Sequence, residues 1–333
     1  PGFKYTVCSY VVSLLRPWII RDLELSKHGL RMVPLECSYT PQLDGPGLCR
    51  WADPDRTRQE IRRLSLRDAD TYPEFGKLMG KLARFAKPFI DEIAPDPTSF
   101  KPSDLLQLKR IADRFRGLGD DLAALQFKLT TMGGVDFLRE FFESDQLIAP
   151  ISCSGIIGTL LGVNSPGTAY VLLHHYMGEI DGSSRAWAFP VGGTGAVSEA
   201  IASSARSYGA EIRTEAAVSR MRIRNGRATG VVLKDGEEIA ARSIVSGCDP
   251  RLTFLGFVGR EHLPSDFVTS IERYKNRGSS GKVNIALDRF PEFTHRPGIG
   301  PHVSGDITIA PSTDYLETAF DEAKYGTFSR RPF

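Results

Sequence analysis

The sequence predicts a mixed protein of the α/β plus α+β class, and three observations carry that expectation. Residues 186–250 read as a strand, a glycine-rich turn, a helix and a three-stranded meander. Residues 54–145 place apolar residues three and four apart, the spacing of an amphipathic helix. Residues 251–333 alternate helical and strand-like patterns, as a mixed sheet with packed helices would. The 333 residues suffice for two domains and a sizeable core.

Along the chain, residues 1–50 mix apolar runs with turns. The stretch CSYVVSLLRPWIIRDLEL alternates weakly and then turns helical, with Gly29 as its stop. Residues 30–36 read as a strand, and PQLDGPGLCRW as a hairpin-like turn with a returning strand. In the helical block, Asp68 or Asp70 is the expected cap, and Pro95, Pro97 and Pro102 are expected breaks. A further helix is expected from a Ser103 cap to Gly117 or Gly119, followed by helices over 122–129 and 134–142.

Residues 146–178 carry no Asp, Glu, Lys or Arg. Pro150, Ser152 and Ser154 interrupt the most apolar part, which falls short of the roughly 20 residues a spanning helix needs. A core helix is the leading reading, ahead of an apolar ligand lining and a membrane-dipping element. Gly155, Gly158 and Gly162 would permit close packing. His174 and His175 are adjacent, so on a helix they diverge, and packed histidines are expected rather than a metal clamp.

In the 186–250 unit, Trp187 to Val191 form an apolar run that meets Gly192 and Gly193. A helix over 196–208 follows, with Gly209 as its stop. Strands are expected at 211–214, 218–223, 229–233 and 239–245. Asn225-Gly226 and Asp235-Gly236 are the hairpin turns, since both central residues tolerate positive φ. Gly193-Thr194-Gly195 supplies only part of a G-x-G-x-x-G fingerprint, because Ser198 replaces the third glycine. A tight strand-to-helix turn without a ligand therefore competes with a nucleotide cradle. Beyond it, a helix at 265–274, strands in KVNIALD and GDITIA and a capped helix in TDYLETAFDEAKYG are expected to build a sheet floor.

The pattern of helix, short strand, T-x-x-x-V, meander and V-S-x-x-D-P resembles the phytoene desaturase-like FAD-dependent oxidoreductases. PGFKYTVCSYVVSLLRPWIIRDLELSKHGL, SPGTAYVLLHHYMGE, KVNIALDRFP and ITIAPSTDYLETAFDEAKYG extend the resemblance along the whole chain. Thr194 and Gly247 depart from the Met and Asn usual in one branch of that family.

The resemblance implies an FAD/NAD(P)-binding-type fold in four parts. Residues 1–50 would join the FAD and substrate domains, and 51–187 would form a helical substrate cap. Residues 188–255 would return to the FAD domain, and 256–333 would supply the substrate-domain sheet. It implies that Val218 meets the adenine through its backbone and that Gly192 and Gly193 lie on the flavin side. Ser9 and Tyr10 would approach the substrate cavity, with ordinary packing as the competing reading. The family's pyrophosphate-binding strand–turn–helix and its closing glycine-rich segment are both expected to lie outside these residues. The 333 residues alone are thus expected to hold no FAD and to have a reduced parallel sheet.

The implied activity is hydride transfer to or from an apolar, isoprenoid or polyene-like substrate. Flavin chemistry needs no acid–base pair from the protein, and no catalytic residue is assigned. A non-catalytic scaffold that keeps the flavoprotein fold is the alternative from another class. A net charge of +2, with basic residues spread out, gives no reason to expect nucleic acid. No metal-ligand spacing occurs. Peripheral membrane association stays open, and the oligomeric state is undetermined. Cys8, Cys37, Cys49, Cys153 and Cys248 are odd in number and contain no C-x-x-C pair. They are expected to be mostly buried apolar residues in a reducing compartment such as the cytoplasm, with an upstream targeting signal left open.

Overall fold

The computed structural model describes residues 5–7, 9–180, 183–184, 186–276, 278 and 280–332. They divide into two units, Pro1–Ser204 with Gly278–Phe333, and Ala205–Arg277.

The first unit is mainly helical. Its central helix, Leu66–Ala86, starts at Ser65, whose side chain accepts the Asp68 N–H. Ser65 thus takes the capping role expected of Asp68 or Asp70. Asp68 is instead fully buried, and its carboxylate accepts the backbone N–H groups of Glu143 and Ser144 at 2.9 Å each. Pro73 lies inside this helix and has no N–H to give the Ala69 carbonyl four residues back. Arg58 supplies the missing donor, its Nε–H reaching that carbonyl at 3.1 Å. The buried face of the helix carries Phe75, Met79 and Leu82. Phe75 meets Phe142 and Phe141 edge to face, at centroid separations of 5.0 and 5.1 Å. Burying a side chain of this size contributes about 1.5–3 kcal/mol.

The helix expected behind a Ser103 cap begins two residues earlier, with Lys101 at the cap position and no side-chain cap. Pro102 is its first residue rather than a break, because a first-turn N–H needs no partner, and it runs as Pro102–Leu118 to Gly119. The core helix expected in the most apolar part is cut short: Asp145–Ser152 is helical, a 3₁₀ turn follows at Cys153–Gly155, and Thr168–His175 forms a separate helix. Both helices bury apolar residues in the main core. A Cβ on Gly155 would lie 2.8 Å from the Thr168 carbonyl, so glycine sets how closely these two segments approach. Among the described residues, no helix is long and apolar enough to cross a membrane.

Small sheets flank this core. Met32–Pro34 pairs antiparallel with Ala188–Pro190, a shorter strand than the expected 30–36. Cys37–Thr40 is central in a three-stranded sheet, antiparallel to Leu48–Trp51 and parallel to Asp306–Ile307. GDITIA therefore joins the expected floor through two residues. KVNIALD does not join it, and Val283, Ile285 and Leu287 stand exposed with no ladder formed. Its alternation is that of a strand, but a strand needs a partner edge. Thr313–Lys324 is a helix capped by Ser312.

Among its described residues, the second unit is the meander followed by three short helical segments. Val218–Arg224, Arg227–Leu233 and Glu238–Ala240 form consecutive antiparallel strands. Asn225 and Gly226 have φ of 49° and 73°, the paired positive values of a type I′ turn. The second turn differs from the expectation, because of its two central residues only Gly236 is positive, at 93°. The Gly236 N–H donates to the Leu233 carbonyl, which makes a three-residue loop closed by a left-handed glycine. Residues 211–214 form no strand, and the third strand stops at Ala240 instead of Val245. Both stretches are irregular backbone outside the ladder. Residues 251–258 close into a π-helix, which the sequence pattern did not suggest, followed by the Ser265–Arg273 helix.

Candidate functional site

Gly192 and Gly193 sit in the first unit, between the Ala188–Pro190 strand and the Gly195–Ser207 helix. Their φ values are 89° and 82°, a backbone that side-chain-bearing residues adopt only with strain. The surroundings of the two differ. A Cβ on Gly192 would meet nothing nearer than the Ala196 Cβ at 3.9 Å, whereas one on Gly193 would stand 2.9 Å from Thr6 Oγ1. The same hydroxyl accepts the Thr194 N–H at 3.3 Å. Two positive-φ glycines thus lead into a 13-residue helix, but the N–H groups of Gly193, Thr194 and Ala196 already donate to the Pro190 carbonyl, the Thr6 hydroxyl and the Gly193 carbonyl. The open side of Gly192 leaves room for a cofactor's close approach.

Val218 lies in the second unit. It opens the first meander strand, opposite Leu233, half-buried and next to a register irregularity before Arg220.

A second group lies in the first unit, on one face of the three-stranded sheet. Asp306 pairs with Ser38, and Ser38 with Arg50, so register places the three in one row. Thr40, two residues past Ser38, shares their face. This face is polar yet under-satisfied. Thr40 Oγ1, Arg50 Nε and, in the segment leaving the strand, Gln42 Nε2 are buried without a hydrogen-bond partner. Tyr10 and Cys153 belong to the same electrostatic neighbourhood. Tyr10 is about half exposed as a residue, yet loss of hydration around its hydroxyl pushes it up to about 12, reinforced by the Asp306 charge. Burial likewise pushes the Cys153 thiol up to about 12, with Arg50 opposing and Asp306 adding to it. At neutral pH both therefore remain protonated donors, neither base nor nucleophile. Tyr10 was expected near the substrate cavity and lies in this group. Ser9 turns its hydroxyl to the Val11 carbonyl at 2.9 Å.

The opposite face of the sheet is structural. Tyr39 packs edge-on against Phe293 and His302. Cys37 and Cys49 come together there and share a thiol hydrogen bond, which raises Cys37 and lowers Cys49. Their twelve-residue separation in sequence gave no sign of this, since only the hairpin register makes them diagonal neighbours. His175 is packed, with Nδ1 2.9 Å from the Val171 carbonyl and its ring stacked on Trp187. No sequence signal pointed to Thr40, Gln42, Arg50 and Asp306, because their common face depends on a hairpin register and on a parallel pairing across 268 residues.

The family model for flavin containing amine oxidoreductase matches residues 44–326, well over half of the chain. Pyridine nucleotide-disulfide oxidoreductase domain-containing protein 2 of Mus musculus is 37% identical over all of this chain and 61% of its own length. The chain thus spans about three fifths of that relative. Prolycopene isomerase 2, chloroplastic, of an Oncidium hybrid cultivar is 28% identical over 50% of this chain and 27% of its own. The solved structure of Rab GDI from Plasmodium falciparum aligns with 72% of this chain and 49% of that one, at a TM-score of 0.40 and 13% identity. The glycine turn, the meander and a match spanning most of the sequence lead to one conclusion: the chain belongs to the flavin-containing amine oxidoreductase family, on its phytoene desaturase-like side.

Proposed function

We propose that this chain is part of an FAD-dependent oxidoreductase that moves a hydride to or from an apolar, isoprenoid or polyene-like substrate. The observation that carries this reading is the strand–Gly192-Gly193–helix turn followed by the meander, within a chain of the flavin family. An FAD/NAD(P)-binding-type fold for the whole protein goes with it. Bound FAD supplies the hydride acceptor or donor. Gly192 and Gly193 would leave room for the flavin side of the cofactor, and Val218 would hold the adenine through its backbone. The protonated Tyr10 and Cys153 would orient substrate without taking its protons. The buried Asp145–Ser152 and Thr168–His175 helices would keep water from the apolar chain.

The test is spectroscopic. The full-length protein should purify with flavin absorbance that bleaches anaerobically on adding a polyene substrate or NAD(P)H. A colourless full-length protein that cannot be loaded with FAD would favour the scaffold reading instead.

A further inference from the structure

We propose that Arg50, supported by Thr40 and Gln42, anchors a carboxylate at one end of an otherwise apolar substrate, so that the substrate class is a long-chain or isoprenoid carboxylic acid. This deepens the oxidoreductase reading and rests on it.

Buried polar atoms in folded proteins almost always find partners, because an unpartnered one forfeits its hydration for nothing. Here three such atoms, Arg50 Nε, Thr40 Oγ1 and Gln42 Nε2, belong to one strand pair and the residues leaving it. All three can donate, and two of them can only donate. The guanidinium makes no hydrogen bond or ion pair to any described side chain. Asp306 occupies the same row but lies two strand spacings away, about 10 Å along the sheet. Its carboxylate instead accepts the Thr308 hydroxyl at 3.1 Å.

Several partly buried or neighbouring arginines of this unit show the contrast: Arg58, Arg63, Arg67, Arg114 and Arg296 each hold a carboxylate. A guanidinium whose Nε edge is buried and unpaired offers a planar two-donor fork, which matches a carboxylate side-on. The Thr40 hydroxyl would take a further lone pair. Beyond this polar row the same face carries Leu48, the strand partner of Thr40, which belongs to the main apolar core against which Cys153 also packs. Cys153, which feels the Arg50 charge, begins the turn after the buried Asp145–Ser152 helix, inside the uncharged 146–178 block. One anionic end and an apolar body is the ligand this combination fits.

The experiment compares all-trans-retinoic acid with retinol, two polyenes of matched shape that differ in the anionic end. Binding is followed by quenching of tryptophan fluorescence, with the 333-residue chain and its Arg50→Met and Arg50→Lys variants. The acid should bind the unaltered chain at least about tenfold more tightly than the alcohol, a preference that added salt weakens. Arg50→Met should remove that preference and leave retinol binding unchanged. Arg50→Lys should keep part of it, having the charge without the fork. Equal binding of acid and alcohol to the unaltered chain would overturn the anchor while leaving the apolar-substrate reading intact. Absence of binding by either polyene would overturn both. If Arg50→Met fails to fold, the acid-to-alcohol ratio of the unaltered chain and of Arg50→Lys still decides.

Discussion

The carboxylate of Asp68 and the backbone N–H of Ser144 meet at 2.9 Å across 76 residues, inside the core of the first unit. Glu143 donates to the other oxygen of the same carboxylate, so one buried side chain fixes the entry to the Asp145–Ser152 helix. Asp68→Ala should leave two backbone donors without partners, at about 1–3 kcal/mol each. The expected result is a lower urea midpoint for the first unit, with Asp70→Ala, on the exposed side, nearly neutral.

Gly193 and Gly192 separate strain from collision. Alanine at either position meets the cost of positive φ, about 1–2 kcal/mol. At Gly193 the added Cβ also crowds Thr6 Oγ1. Gly193→Ala should therefore destabilise more than Gly192→Ala, and Thr6→Ala should recover part of the difference. Thermal melts of the four variants check this. Equal losses at both positions, unchanged by Thr6→Ala, would contradict it.

Thiol accessibility tests the sheet. Cys248 is exposed, whereas Cys37 and Cys49 are buried on its structural face. In a Cys8→Ser background, a thiol reagent should modify Cys248 quickly and reach Cys37 and Cys49 only on unfolding. Rapid native-state modification of Cys37 or Cys49 would place that hairpin elsewhere.

Burial, against the smaller opposing effect of the Val171 carbonyl, lowers the pKa of His175. The unfolded chain then binds a proton at His175 before the folded one does, so stability rises with pH through this window. The contribution is complete above the unfolded value of about 6.5 and is lost progressively as pH falls below it. His175→Gln should flatten the acid side of a stability–pH profile. An unchanged slope would show that His175 titrates normally in the fold.

Local chemistry made part of this structure legible. Asn225-Gly226 fixed a hairpin because both residues adopt positive φ with little strain. Gly119 and Gly209 marked helix stops for the same reason, whereas the first helix ends at Asp22, well before the expected stop at Gly29. What was not legible depended on distant partners. Asp68 looked like a cap for its own helix, since nothing near it in sequence announces the Glu143 and Ser144 amides. Residues 282–288 have a strand's alternation, but whether such a run enters a sheet is decided by an available edge. Gly192, Gly193 and Val218 were proposed through motif and resemblance, whereas the Thr40–Arg50 face emerged only once register was known.

The most direct test of the central claim is an anaerobic spectrum of the full-length protein, alone and with a polyene substrate, beside its Gly193→Val variant. The account predicts a flavin spectrum that substrate bleaches, and loss of bound flavin in the variant, which places a branched side chain in the glycine turn. A colourless protein that cannot be loaded with FAD, or a Gly193→Val variant with full flavin content, would contradict it.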